Sequence, residues 1–386
     1  MDLCKTELCT GCAACANSCP KQCIQMIADT EGFLRPRADV GKCISCGICQ
    51  KACPVLHPAA CNHETVAYAA IHKDESVRMK STSGGVFSLL CQWVFNHGGA
   101  VFGAAYADDF SVEHRCIYSM DELSALRTAK YAQSRIGNTF QKIKQFLADE
   151  RYVLFSGTPC QIGGLIAYLG KEYKKLILVD LVCHGVPSPA VWSRYLDYRS
   201  ENDASGAAPS SINLRSKETG WPGYSIRFDY GSGQHYTAKN GEDPFLRCFV
   251  GNLCLRPSCY SCQFKGISRC SDFTLGDYWG VWSQLPEYND GKGTSIVLIH
   301  SEKGREIWSE ISTQMQSQQV DAVHCMDENI SAIQSSKPSP MRSAFMQRYF
   351  KEDFKGLVEE LLPPPAPEKR SSLFRRMLHK LKRSLR

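Results

Sequence analysis

The chain has no uninterrupted apolar run long enough to span a bilayer, although it has 386 residues and 43% hydrophobic content. Residues 1–7 lack the charged and then apolar pattern of a secretory signal peptide. Net charge is also scarce, because eight of the basic residues behind the formal +6 lie in residues 369–386, and the remainder carries −2. We therefore expect a globular protein of two or three domains, with no nucleic-acid partner.

Cysteine, in contrast, is abundant, and eight of the 21 cysteines form two runs of one spacing, each ending in Cys-Pro. In bacterial ferredoxins this spacing gives three thiolates to one [4Fe–4S] cube and the fourth to the other cube. The predicted ligands are Cys9, Cys12, Cys15 and Cys53 for one cluster, and Cys43, Cys46, Cys49 and Cys19 for the second. A zinc site and a disulfide framework are the alternatives, but doubled runs do not suit zinc, and frameworks suit short secreted domains.

The remaining sequence predicts a chain of α+β or α/β class. A small bacterial-ferredoxin-like module occupies residues 1–62, with a short hairpin between residues 24 and 36. A larger α/β domain with a partly parallel sheet occupies residues 63–340, and residues 341–386 hold a C-terminal helix, a Pro-rich spacer and a basic amphipathic tail. Iron–sulfur centres and free thiols together indicate a reducing cytoplasm, as in an anaerobe.

Two apolar strands in the larger domain each lead to a cysteine. The runs at residues 152–155 and 176–179 enclose a helix-like stretch, which is typical of a parallel sheet covered on both faces. Cys160 follows the first strand and Cys183 the second. Because ligands gather at the carboxyl ends of parallel strands, we expect both thiols at one edge of the sheet. Elsewhere we expect residues 121–150 to be helical with a polar break, and residues 200–211 to form a surface loop.

Residues 81–85 form a hydroxyl- and glycine-rich loop before an apolar helical run. Such a loop presents backbone N–H groups to a phosphate or pyrophosphate, although an ordinary capped helix is the alternative. In the tail, leucines, a phenylalanine and a methionine share one helical face among arginines and lysines, which predicts peripheral contact with anionic lipid. A solvated tail and a helix that docks on a partner protein are the alternatives.

Five ordered motifs in residues 81–280 resemble the beta subunit of the coenzyme F-420 hydrogenase/dehydrogenase family, which includes plant 7-hydroxymethyl chlorophyll a reductase. The motifs are Ser81-Thr82-Ser83-Gly84-Gly85-Val86-Phe87-Ser88, Lys130-Tyr131-Ala132-Gln133-Ser134, Phe155-Ser156-Gly157-Thr158-Pro159-Cys160-Gln161, Cys183-His184-Gly185 and residues 271–280. The resemblance extends over roughly residues 1 to 340.

The resemblance implies an FAD-binding domain. Ser81, Thr82, Ser83, Gly84 and Gly85 would hold the pyrophosphate, and Lys130, Tyr131 and Ser134 the rest of the flavin. It also implies a third [4Fe–4S] cluster on Cys160, Cys183, Cys259 and Cys262, with Cys254 and Cys270 as substitute ligands. A zinc site and inert buried thiols are the rivals of this third cluster. Structural roles are expected for the other cysteines, which are Cys4, Cys23, Cys61, Cys91, Cys116, Cys248 and Cys325.

The expected activity is that of an FAD-dependent iron–sulfur oxidoreductase. Electrons would pass from a reduced ferredoxin or redox partner subunit through the clusters to FAD and a small or lipid-linked substrate, or in reverse. The alternative is a non-catalytic electron-transfer subunit, and a third hypothesis is a zinc-bound interaction protein. The expected location is the cytoplasm, with membrane association at the inner face through the tail. His184 and Asp277 are candidate proton donors, with structural roles as the alternative, so the catalytic residue stays open.

Overall fold

The computed structural model describes residues 3–61 and 64–363, so the basic tail lies outside the described residues. The amino-terminal module contains two helices, α1 (Ala14–Ser18) and α2 (Ile48–Lys51), and two strands, β1 (Ile24–Ala28) and β2 (Leu34–Ala38). The strands pair antiparallel with Ile24 opposite Ala38, which confirms the predicted hairpin. The module has a small core of its own, formed by Leu3, Cys23, Ile24 and Cys49.

An eight-stranded mixed sheet forms the centre of the larger domain. Its strands are β3 (Val66–His72), β4 (Ala100–Tyr106), β5 (Val112–Ile117), β6 (Val153–Ser156), β7 (Leu176–Leu181), β11 (Phe273–Asp277), β12 (Ser295–Ile299) and β13 (Met315–Val320). They lie in the order β13-β3-β12-β11-β7-β6-β4-β5. The pairs β4–β6, β6–β7 and β7–β11 are parallel and the rest are antiparallel. This confirms the predicted partly parallel sheet.

A second, three-stranded sheet has its own apolar core. It contains β8 (Pro209–Ser216), β9 (Ser225–Tyr230) and β10 (His235–Lys239). Its core also takes side chains from α7 (Pro189–Ala204), α8 (Pro244–Val250), α11 (Arg342–Arg348) and α12 (Phe354–Leu361). Phe33 of the module is fully buried in this core, so the module is packed against the larger domain.

The remaining helices cover or border the large sheet. They are α3 (Glu75–Met79), α4 (Val86–Asn96), α5 (Thr139–Ala148), α6 (Pro159–Leu169), α9 (Val281–Gln284) and α10 (Glu302–Ile311). The start of α6 is fixed by a capping box between Thr158 and Gln161, with Pro159 in the first turn. No helix within residues 3–61 and 64–363 is long and apolar enough to cross a membrane.

Two local expectations were wrong. Residues 121–130 were expected to be helical, but a 3-10 helix at Met120–Ala125 gives way to irregular backbone before α5. Residues 200–211 were expected to be a surface loop, yet they contain the end of α7 and the start of β8. The polar residues here form the outer faces of packed elements, so composition alone misled the prediction.

Candidate cluster and cofactor sites

Two cavities in the module are each lined by four of the predicted cluster ligands. One cavity has Cys9, Cys12, Cys15 and Cys53 in its wall. The other has Cys19, Cys43, Cys46 and Cys49. Each half of the repeat therefore contributes its fourth cysteine to the cavity of the other half, which is the crossed pattern of a dicluster ferredoxin.

The ligand loops fold alike because left-handed residues recur at equivalent places. Gly11 and Ser45 precede the second cysteine of each run, and Ala13 and Gly47 follow it, all with φ between 52° and 72°. Successive left-handed turns direct backbone N–H groups into one concavity, which suits an anionic cluster. The donor set and the backbone thus fit [4Fe–4S] clusters in both cavities.

Each cavity also has a fifth cysteine beside it, for which the sequence predicted only a structural role. Cys4 lines the first cavity, and its thiol lowers the pKa of Cys9 to about 5 and that of Cys53 to about 6 by hydrogen bonding. Cys23 lines the second cavity with its Sγ 3.3 Å from Cys19 Sγ. The spacing of the runs gave no signal for either residue.

Arg256 joins the first cavity to the larger domain and was missed by sequence reasoning. The side chain is fully buried. Its Nε donates to Cys9 O at 2.7 Å, its Nη1 donates to Gln133 Oε1 at 2.7 Å and its Nη2 donates to Leu34 O at 2.9 Å. Gln133 Nε2 in turn donates to Thr10 O at 2.9 Å. These bonds hold the ligand loop of Cys9 and Cys12 against the larger domain.

The structure gathers Cys160, Cys183, Cys259 and Cys262 at one edge of the large sheet. Cys160 stands in the first turn of α6, Cys183 follows β7, and the other pair belongs to a 3-10 helix and the residue after it. Cys160 interacts electrostatically with Cys183 and Cys262, and Cys259 interacts with Cys160 and Cys262. Burial raises the pKa of Cys183 and Cys259 to about 12 each.

The two substitute ligands lie elsewhere. Cys254 is buried in the core of the second sheet and interacts with Cys248. Cys270 forms a disulfide with Cys61, 209 residues away in sequence. Four thiols of the predicted third set therefore lie near one another, which is the number that one cube or one zinc ion requires, although the described residues contain no group of three or more His, Cys, Asp or Glu that could hold a metal ion.

The third thiol group lies next to the first module cavity. Gly164 is one helical turn beyond Cys160 in α6, and a Cβ at Gly164 would lie 2.9 Å from Cys12 Sγ. Cys12 also contributes to the electrostatic environment of Cys160. The absence of a side chain at Gly164 thus allows the two cysteine groups to approach across α6.

Several polar groups of the predicted flavin loop, residues 81–85, form hydrogen bonds with other parts of the chain. Ser81 Oγ donates to Val77 O, Ser83 Oγ donates to Thr294 O, and the Gly84 N–H donates to Ser295 Oγ, at 2.7–2.8 Å. Thr82 is half-buried between the two serines, and Gly85, with φ of 96°, immediately precedes α4. The loop therefore anchors the start of α4 to β12.

Two cations close together in sequence, Arg127 and Lys130, lack carboxylate partners within the described residues. Lys130 is buried, and its Nζ donates to the carbonyl oxygens of Arg127 and Thr128 at 2.5 and 3.2 Å. The Arg127 guanidinium donates to Ser88 Oγ, in the first turn of α4, at 3.3 Å. Neither cation forms an ion pair with a carboxylate in the described part of the chain, and the buried Tyr106 hydroxyl has no partner there. This arrangement fits a pyrophosphate.

Residues 130–134 connect this basic site to both neighbouring cysteine groups. Tyr131, at φ of 30°, packs against Phe249 and lies within 3.4 Å of Arg215 Nη1 through its hydroxyl. Gln133 contacts the module as described above. Ser134 Oγ accepts from Gln161 Nε2 at 2.9 Å, and Gln161 is the neighbour of Cys160.

The candidate proton donors are both engaged. His184 Nε2 is 2.7 Å from Asn252 Oδ1, and its Nδ1 is 3.3 Å from Ser331 Oγ. Asp277 accepts from Arg215 Nη2 at 2.5 Å and from Trp221 Nε1 at 3.2 Å. These contacts fit the structural role that is the alternative for both residues.

The crossed cysteine sets of the module, fused to an α/β domain, define an iron–sulfur electron-transfer protein of the oxidoreductase class. Residues 8–56 match the family profile of the 4Fe–4S dicluster domain. Residues 150–323 match the profile for the C terminus of the coenzyme F420 hydrogenase/dehydrogenase beta subunit. The chain is therefore similar to that beta subunit over residues 150–323, which confirms the resemblance seen in that part of its sequence.

Two individual proteins are also similar. An uncharacterized polyferredoxin-like protein of Methanocaldococcus jannaschii is 39% identical over 58 residues, which cover 13% of this chain and 34% of that protein. The chain thus spans about a third of the length of this curated relative. A chain of the F420-reducing [NiFe] hydrogenase complex from Methanosarcina barkeri is 16% identical, with a TM-score of 0.45, over 73% of this chain and 98% of that one.

Proposed function

We infer that the chain is an iron–sulfur flavoprotein oxidoreductase with three [4Fe–4S] clusters and one FAD, and that it moves electrons between a carrier protein and a small or lipid-linked substrate, in either direction. The observation that carries this proposal is the position of residues 130–134. Gln133 contacts the module at Thr10 O, Ser134 accepts from Gln161, the chain neighbour of Cys160, and Lys130 is one of the two cations. One short segment thus borders the first module cavity, the region of Cys160 and the proposed pyrophosphate site.

The proposal assigns each cluster and the FAD to specific residues. The crossed sets Cys9, Cys12, Cys15, Cys53 and Cys19, Cys43, Cys46, Cys49 would hold the module clusters, and Cys160, Cys183, Cys259 and Cys262 the third. Lys130 and Arg127 would bind the pyrophosphate at the start of α4, with Ser81, Thr82, Ser83, Gly84 and Gly85 shaping that loop. Tyr131 and Ser134 would border the flavin.

FAD would supply the exchange of two electrons with a substrate and of single electrons with iron–sulfur centres. The protein must keep these centres close and dry. The fully buried Arg256 holds the module against the larger domain, and the absence of a side chain at Gly164 allows Cys12 to approach α6.

The test is to purify the chain anaerobically and to measure iron, acid-labile sulfide, zinc and FAD per chain, with EPR of the dithionite-reduced sample. We expect about twelve iron atoms and one FAD, since each cube has four irons. A content of about eight iron atoms together with zinc would indicate that the third site binds zinc instead of a cluster. Iron without FAD would favour an electron-transfer subunit that makes no product, and absence of both would refute the proposal.

Activity of the isolated chain separates enzyme from carrier. An enzyme should oxidise or reduce a small molecule unaided once its clusters are reduced. A carrier subunit should turn over only when a partner enzyme is present.

A further inference from the structure

We propose that the outer module cavity, lined by Cys19, Cys43, Cys46 and Cys49, carries the docking face for a small, acidic, one-electron carrier protein. This inference rests on the proposed function, because it assigns the place where electrons enter or leave. We call the face the carrier face and define it by Val40, Ile44, Ile48, Lys21, Lys42 and Lys51.

The two module cavities differ in their access to solvent. Around the first cavity Cys9, Cys12 and Cys53 are buried, and Arg256 and α6 of the larger domain cover it. Around the outer cavity Cys46 is exposed and Cys43 is half-buried. An external protein can therefore approach the outer cavity more closely than the first cavity.

Exposed apolar residues flank the exposed Cys46 in sequence. Ile44 lines the outer cavity and is 58% exposed. Val40 is 76% exposed and lies between the cavity residues Ala38 and Cys43, while Ile48 is 42% exposed and lies between Gly47 and Cys49. Three aliphatic residues exposed within nine consecutive positions are unfavourable for a free surface, and they provide the apolar centre that a transient redox interface needs.

The charges beside these residues select an acidic occupant. The two segments that form the cavity, residues 19–23 and 38–51, contain Lys21, Lys42 and Lys51 but one acid, Asp39. Lys21 lines the cavity, and all three lysines are exposed. Among the described residues, Asp39 forms a salt bridge with Lys42 alone, with 3.5 Å between Asp39 Oδ2 and Lys42 Nζ. A positive rim around an apolar centre attracts a carrier with carboxylates around its own redox centre, and it repels a second copy of this face.

The experiment uses the anaerobically purified full chain and an acidic 2[4Fe–4S] ferredoxin as the probe. Stopped-flow reduction by that ferredoxin should be fast at low salt and should slow steeply as ionic strength rises. The triple variant Lys21→Glu, Lys42→Glu, Lys51→Glu should lower the second-order rate constant about tenfold or more. Ile44→Asp should also lower it, while Val323→Asp and Lys239→Glu, at exposed positions of the larger domain, should not.

Two further readouts separate docking from cluster damage. Iron content and the extent of reduction by dithionite should equal those of the unsubstituted chain in every variant. Calorimetric titration of the oxidised chain with oxidised ferredoxin should show weaker binding for the lysine triple variant, without any electron transfer.

The outcomes are distinguishable. Equal rates for the carrier-face and control variants, or a rate independent of salt, would overturn the carrier face. Sedimentation showing a dimer that Ile44→Asp dissociates would assign the face to a second copy and would also overturn it. Failure of dithionite to bleach any flavin in the unsubstituted chain would instead contradict the proposed function.

Discussion

Burial lowers the pKa of Lys130 to about 7, so this side chain loses its charge near neutrality when no anion is beside it. A bound pyrophosphate favours the charged form and raises that pKa. Protonation and FAD binding are therefore coupled, and affinity should fall as the pH rises above about 7. The expected rise in Kd is at most about tenfold per pH unit for one proton.

The measurement is a fluorescence titration of the FAD-depleted chain at pH 6.5, 7.5 and 8.5. Lys130→Arg keeps its charge across this range, so its Kd should be nearly independent of pH. Lys130→Gln should bind weakly at every pH. A pH dependence in Lys130→Arg equal to that of the unsubstituted chain would show that another group titrates, with Lys217, whose pKa burial lowers to about 7, the first to examine.

Gly164 gives a second prediction for a single residue. A Cβ there would lie 2.8 Å from Cys12 Cβ and 2.9 Å from its Sγ, closer than packed atoms allow. Gly164→Ala should displace Cys12 and lower the iron content by about four atoms per chain, the content of one cube. Ala167→Ser, at a half-buried position of the same helix, is the matched control. Unchanged iron and an unchanged EPR signal in Gly164→Ala would refute the close approach.

At the level of elements, the Cys61–Cys270 disulfide ties the end of the module to the segment that leads into β11. It departs from the expectation that the remaining thiols are free. Closing a long loop restricts the unfolded chain, so Cys61→Ser should lower the free energy of unfolding by about 2–4 kcal/mol.

Peptide mapping after alkylation without reductant should recover residues 61 and 270 in one linked pair. The thermal stability of Cys61→Ser should not respond to dithiothreitol, whereas that of the unsubstituted chain should decrease. Full alkylation of both cysteines before reduction would contradict the disulfide.

The elements also show which features a sequence can reveal. Apolar runs predicted β6 and β7 because a central parallel strand is buried on both faces. The cysteine spacing predicted the crossed sets because a doubled run of this spacing is typical of a dicluster ferredoxin. Arg256, Arg127 and the Cys61–Cys270 pair were missed, since each acts through partners far away in sequence or through an environment that only the fold creates. The hydroxyls of residues 81–85 suggested a clamp, but the fold uses Ser83 and Gly84 to hold β12.

At the scale of the whole molecule, stability is unevenly distributed between module and larger domain. The module core contains four buried residues, two of them cysteines, whereas the cores of the larger domain are extensive. Clusters that bind only the folded module should therefore supply much of its folding free energy. The module nevertheless keeps two anchors to the larger domain, Phe33 and the hydrogen bonds of Arg256.

Removal of iron by chelator and oxidant should consequently unfold the module but not the larger domain. Hydrogen exchange should show loss of protection in β1 and β2 and retained protection in β4, β6 and β7, which pack in extensive apolar cores. Arg256→Met in the iron-loaded chain should leave β1 and β2 protected if the clusters dominate. If β1 and β2 stay protected after iron removal, then packing against the larger domain, not cluster binding, holds the module folded.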